Sequence, residues 1–155
     1  MSDRRIGLAL GASLLLLLAA CEAGDLTGHA SPSPVHIRAV GPHAVEIQMT
    51  DDLRFVPDRI VIDVGQTVTF LATNRSSAEH EFFIGDAAAQ DEHEAEMRAG
   101  NNANMHFRPD DMVLMPGTSN QLTYTFDKPG ELIFGCHQPG HYAAGMRGTI
   151  EVVEP

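Results

Sequence analysis

The sequence predicts an all-β fold, a two-sheet sandwich of about eight short strands with one partly helical insertion. β-Branched and aromatic runs with period-two alternation recur about every eight to twelve positions, and Gly, Pro, Asn or Ser punctuate them. Helical patterns do not alternate with these runs, which argues against a parallel β/α fold. With 155 residues, 43% of them hydrophobic, the chain has room for one core plus short tails.

Residues 35–40 and 44–49 alternate around Gly41-Pro42 and are expected to form two strands joined by a turn. Phe55 and Pro57 lead into a strand over 60–64, and Gly65-Gln66 turns the chain into a strand over 67–71. Residues 81–84, 121–126, 131–134 and 148–153 complete the set. Phe55, Ile60, Ile62, Val64, Val68, Phe70, Leu122, Tyr124, Phe126, Leu132, Phe134, Ile150 and Val152 are the candidate core. Across the insertion, 85–116, alternation stops. Residues 87–99 hold good helix formers and end at Gly100-Asn101, so a short helix is expected there. The remainder through Met115 is expected as a loop over one end of the sandwich, where loops often carry sites.

Ahead of this body, residues 1–21 carry Arg4 and Arg5 before an apolar stretch over 6–20, the layout of an export signal and too short for a confident spanning helix. The segment closes on Leu18-Ala19-Ala20-Cys21, which resembles the lipobox of bacterial lipoproteins. That resemblance implies a diacylglycerol thioether on Cys21, which would become the first mature residue and tether the chain to the outer side of a bacterial membrane, in the periplasm or beyond it. Ordinary signal cleavage near Ala20, with Cys21 unmodified or lost, is the alternative. Either way Cys21 lies outside the fold. Residues 22–34, poor in apolar side chains and broken by Gly, Ser and Pro, read as a flexible tether, leaving 35–155 as the folded domain.

Ten Lys and Arg against 21 Asp and Glu give a formal charge of -11, which argues against a nucleic-acid partner and suits a positively charged one. Two cysteines without a Cys-x-x-Cys pair support neither a disulfide scaffold nor a four-thiolate zinc site. Ser76, Ser77 and Ser119 lie in no nucleophile-elbow context, and no enzyme activity is expected.

The densest chemistry is the run from Cys136 to Met146, in which Cys136, His141 and Met146 place a thiolate, an imidazole and a thioether on one loop between two strands. His80, just before the strand 81–84, offers a second imidazole. Two imidazoles, one thiolate and a weak axial thioether are the ligand chemistry of a blue-copper electron-transfer site, whereas zinc gains little from a thioether. His137 follows the thiolate directly. Neighbouring side chains on an extended segment point to opposite faces, so His137 is expected to face away from the metal, toward a hydrogen bond or a sheet surface.

These residues resemble the cupredoxin family, the blue-copper domains related to plastocyanin, azurin and auracyanin. The resemblance runs from Phe55-x-Pro57-x-x-Ile60-x-Ile62-x-x-Gly65-x-x-Val68-x-Phe70 through Asn74 and His80 to the closing motif Cys136–Met146, about 100 residues in all. It implies a cupredoxin-like Greek-key β-sandwich holding one type 1 copper per chain. Cys136, His80 and His141 would be the equatorial ligands and Met146 the long axial one. The backbone at Asn74 and beside Cys136 is expected to tune the copper by hydrogen bonds. Electrons are expected to leave through His141, with a redox partner such as a cytochrome or oxidase docking around Pro139, Tyr142 and Ala143.

The insertion also holds His93, Met97, Met105, His106, Met112 and Met115. Thioethers and imidazoles bind Cu(I), so these could form a second, labile copper surface. They better suit a capping loop whose methionines fill apolar gaps and whose His93 faces water. Two functions therefore stand: single-electron transfer by Cu(II)/Cu(I) cycling, or copper tolerance, buffering or delivery outside the cytoplasm with a copper-handling partner.

Overall fold

The computed structural model describes residues 35–37, 43–100 and 109–155. The expected signal segment 1–21, with its lipidation candidate Cys21, the tether 22–34, and Met105 and His106 of the insertion lie outside the described residues. Among the described residues no helix is long and apolar enough to cross a membrane.

Among the described residues, ten strands and one helix follow in order: β1 Val35–Ile37, β2 His43–Thr50, β3 Arg54–Val56, β4 Arg59–Asp63, β5 Thr67–Asn74, β6 His80–Gly85, α1 Ala87–Arg98, β7 Asp111–Leu114, β8 Ser119–Thr125, β9 Gly130–Gly135 and β10 Arg147–Val153. They form a six-stranded sheet in the order β1-β4-β10-β9-β6-β7 and a four-stranded sheet in the order β3-β2-β5-β8. The all-β sandwich is as expected, but the first two strands do not make a hairpin. β1 runs parallel to β4 in the larger sheet, while β2 runs parallel to β5 in the smaller one, from His43↔Val68 to Met49↔Asn74. Alternation reveals which side chains face inward; it does not reveal which strand lies alongside.

Two strands escape the periodicity. β3 has three residues and pairs with the end of β2. β7 lies where a loop was expected and pairs with β6 from His80↔Leu114 to Phe83↔Asp111. Four residues hold too few alternations to be read against a loop background.

Between the sheets, Phe55, Phe82 and Phe134 pack with ring centroids 5.2 to 5.7 Å apart, and Phe70 joins Phe82 at 5.4 Å. Such offset and edge-on pairs add to the free energy of burying the rings. Of the candidate core, Val64, Tyr124 and Leu132 pack at its edge, half-buried, and the other ten are buried within it. Met49, Met112, Cys136 and Met146 are buried in the same core.

The helix α1 forms within the expected limits. Asp86 caps its first turn by accepting a hydrogen bond from the Ala89 N–H at 2.9 Å. Its buried residues are Gln90 and His93, both polar, so an apolar stripe does not dock it. Strand β6 explains this. Phe82 and Ile84 enter the core, whereas Glu81 and Phe83 point to the outer face of the sheet, where α1 covers them.

Candidate metal centre

Three donors converge at one end of the sandwich. Cys136 Sγ lies 3.7 Å from His80 Nδ1 and 3.4 Å from His141 Nδ1, and the two imidazole nitrogens are 3.2 Å apart. A triangle with these sides has its centre about 2 Å from each corner, the length of a bond from a first-row metal to nitrogen and close to that for sulfur. His80 and Cys136 are buried and His141 half-buried. Met146, the fourth expected donor, is buried in the same core cluster as Cys136.

The backbone holds this geometry closed. The Cys136 N–H donates to Met146 O at 3.1 Å and the Met146 N–H to His141 O at 3.0 Å, which ties both ends of the loop together. Arg54 Nη1 donates to Gly145 O at 3.0 Å, anchoring the loop to β3. Gly145 itself sits at φ 92°, a conformation that favours glycine.

His80 is oriented from behind. Its Nε2 lies 2.7 Å from Ser76 Oγ, and the Ser76 hydroxyl lies 2.9 Å from Asn74 Oδ1. With the hydroxyl donating to Asn74, it accepts from the His80 Nε2–H, and the Nδ1 lone pair is left for the metal. Asn74 acts through this side-chain relay and by donating from Nδ2 to Ala78 O and Leu114 O. Its backbone N–H donates to Thr118 O at 2.9 Å, so Asn74 acts on the site through its side chain. Cys136 Sγ accepts from the Glu81 N–H at 3.3 Å and also from the Gln138 N–H within its own loop. Ser76→Ala is expected to weaken copper affinity by about 10–100-fold, as loss of an outer hydrogen bond to a ligating histidine does. Copper titration against a competing chelator measures it.

Burial pushes the Cys136 thiol up to about 12, and burial holds both His80 and His141 below the ordinary histidine range, His141 adding to the effect on His80. Near neutral pH the metal-free site is therefore a neutral thiol and two neutral imidazoles. A metal must expel the thiol proton, so its apparent association constant is expected to rise about tenfold per pH unit between pH 7 and 9. Isothermal titration across that range, in two buffers of different ionisation enthalpy, checks both the slope and the proton release. On the acid side the unfolded chain takes up protons on these histidines more readily than the folded one. Stability of the metal-free protein therefore falls as pH drops through the ordinary histidine range.

Cys136 and its neighbour point to opposite sides. His137 is buried on the outer face, with Nδ1 2.7 Å from Glu94 Oε2 and Nε2 2.7 Å from Gln90 Oε1. Gln90 in turn donates from Nε2 to Ile133 O at 2.8 Å. The His137 N–H donates to Glu81 Oε2 at 2.9 Å, and His93 Nε2 meets Glu81 Oε1 at 2.8 Å. Burial alone would raise the Glu81 carboxyl, but the hydrogen bonds from His93 and His137 outweigh it and hold it below the ordinary carboxylate range. This network is what seats α1.

Among the described residues, His93, Met97, Met112 and Met115 do not gather into the Cu(I) surface considered from sequence. His93 is fully buried on the outer face of β6 and does not face water. Met112 is in the core on the other face, Met97 is half-buried on α1, and Met115 is 55% exposed beyond β7. His93 and Met112 are separated by the sheet and cannot share an ion. In the expected docking area, Pro139 and Ala143 are exposed, while Tyr142 stacks on His137 at 4.4 Å with the Arg147 guanidinium over its ring.

Ser76 and Glu81 support the site and were not among the site residues expected from sequence. Ser76 sits in an unremarkable polar turn. Glu81 left a signal, a lone carboxylate heading the apolar run Phe82-Phe83-Ile84.

A β-sandwich with two imidazoles, a thiolate and a thioether gathered at its end defines a type 1 copper protein, and the chain belongs to the family described as copper binding proteins, plastocyanin/azurin family, whose model matches residues 42–153. Its cofactor is copper. Among individual proteins, it is 37% identical to the copper-resistant cuproprotein CopI of Rubrivivax gelatinosus, over 74% of this chain and 68% of that one. It is 33% identical to the copper-resistant cuproprotein CopI of Pseudomonas aeruginosa, over 98% of this chain and 99% of that one. Among solved structures, dithionite-reduced auracyanin from Roseiflexus castenholzii superposes with a TM-score of 0.62 at 29% identity, over 71% of this chain and 96% of that one.

Proposed function

We propose that the chain is an extracytoplasmic type 1 copper protein that carries single electrons. The near-equilateral triangle of His80, Cys136 and His141 carries this reading, because it is closed by backbone hydrogen bonds and needs little movement to hold a metal. Copper bound there supplies a one-electron couple between Cu(II) and Cu(I). The sandwich holds Cys136 and His80 away from water and so disfavours rearrangement between the two oxidation states. His141 is the half-buried ligand, and the exposed Pro139, Gly140 and Ala143 beside it give a partner a small flat approach. A charge of -11 would steer a basic redox protein, with a rate that falls as salt rises.

The relatives named for copper resistance support a second reading, copper tolerance outside the cytoplasm with a copper-handling partner. Both readings use the same four ligands and place the chain in the periplasm or on the outer side of a membrane, with Cys21 as its lipid anchor. Stopped-flow mixing of the Cu(I) chain with an oxidised basic cytochrome separates them. Fast, salt-sensitive exchange supports the carrier; negligible exchange, with copper passed instead to a metal-free acceptor, overturns it in favour of copper handling.

A further inference from the structure

We propose that Glu81, His93 and Asp111 form a second metal site, for a divalent first-row ion such as Zn(II), on the outer face of β6 and back to back with the copper centre. Their ligand atoms all lie within 4.8 Å of one another, and Glu81 Oε1 and His93 Nε2 are already 2.8 Å apart. The three residues come from β6, α1 and β7, so the site exists only once helix and sheet have assembled. Glu81 and His93 are fully buried and Asp111 is 7% exposed.

Two carboxylates and one imidazole form a hard to borderline donor set, which suits Zn(II) or Cu(II) and not the soft Cu(I) of a methionine-lined surface. The charge also fits: a dication balances two buried carboxylates.

The far side of His93 points the same way. Its Nδ1 is buried without a hydrogen bond, and Glu96 Oε2 stands 4.0 Å away on the next turn of the helix. A ligating histidine characteristically turns its other ring nitrogen toward a carboxylate, which fixes the tautomer and raises its basicity. The ring is further set by stacking on Phe83 at 4.3 Å and by the edge contact with His137 at 4.7 Å.

The two sites share strand residues in adjacent pairs. His80 faces the copper donors and Glu81 the second site; Cys136 faces the copper donors, and His137 donates its N–H to Glu81. The Glu81 N–H also reaches Cys136 Sγ. An ion drawing on the Glu81 carboxylate therefore moves a group that is hydrogen-bonded to the copper thiolate. This inference does not depend on whether the copper carries electrons or is itself the cargo.

Zn(II) added to the full chain, with the type 1 site first filled by one copper, tests it. One further Zn(II) per chain is expected to be retained at micromolar concentration, with a shift of the thiolate-to-copper band and of the electron paramagnetic resonance spectrum. His93→Gln and Asp111→Asn should each weaken that Zn(II) at least tenfold. Should His93→Gln also lose the copper band by misfolding, Asp111→Asn decides, since its side chain lies on the opposite face of the sheet from the copper donors. Failure of the copper-loaded wild type to hold a second ion overturns the proposal, as does undiminished Zn(II) binding by Asp111→Asn. Neither result touches the copper centre, whose own band reports on it separately.

Discussion

Cys136→Ser is expected to abolish the intense thiolate-to-copper absorption and to reduce copper affinity by more than the ~10–100-fold that loss of an outer hydrogen bond costs. The thiolate is both the soft donor and the equatorial ligand that a serine hydroxyl, protonated at any working pH, cannot imitate. The Sγ position is central to the site, at 3.4 and 3.7 Å from the two imidazole nitrogens and accepting the Glu81 N–H. Serine is nearly isosteric and can keep that last hydrogen bond, so the metal-free fold should survive with a change of about 1 kcal/mol. Visible absorption and electron paramagnetic resonance of copper-treated protein, beside a melt of the metal-free form, separate the two effects. A retained blue band in Cys136→Ser would show that the thiolate is not the copper ligand.

Gly148→Ala is expected to cost about 3 kcal/mol or more, at the upper end of overpacking penalties. A Cβ at Gly148 would run into Phe134 Cζ and stand 2.6 Å from Asp58 O. Neither neighbour can give way. Phe134 is clamped between Phe55 and Phe82, and Asp58 O accepts the Thr149 N–H at 2.9 Å, so its backbone is fixed to the strand that would have to move. Met146 lies two residues upstream, so the folded fraction should also show a displaced copper band. A denaturant melt reads the first effect, with Tm lower by roughly 10 °C. A shift under 2 °C or so would mean that strand β10 is free to slide.

Much of this was legible in the sequence because the signals were local. Strand periodicity located the core, and Cys136, His141 and Met146 lie within one short loop whose spacing is set by chain geometry alone. His80 was reachable because a polar turn and a strand boundary flank it. Pairing was not legible: the parallel alignments of β1 with β4 and β2 with β5 depend on contacts between distant segments. The four-residue β7 was lost within the insertion. His93 was misplaced for a related reason. A helix with so little apolar character reads as solvent-facing, and only the buried Glu81 beneath it shows why a histidine should turn inward. Asn74 was found and its role was not, because a relay through Ser76 is a matter of side-chain aim.

The docking of α1 through Gln90, His93 and Glu94 has an evolutionary consequence. The apolar interior and the polar mantle over Glu81 and His137 lie on opposite sides of one sheet, so a change in the helix leaves the packing of the core untouched. The cost falls on the outer face instead: a substitution at His93 or Gln90 strips a hydrogen bond from the buried Glu81 or His137, so helix and strand are expected to change together.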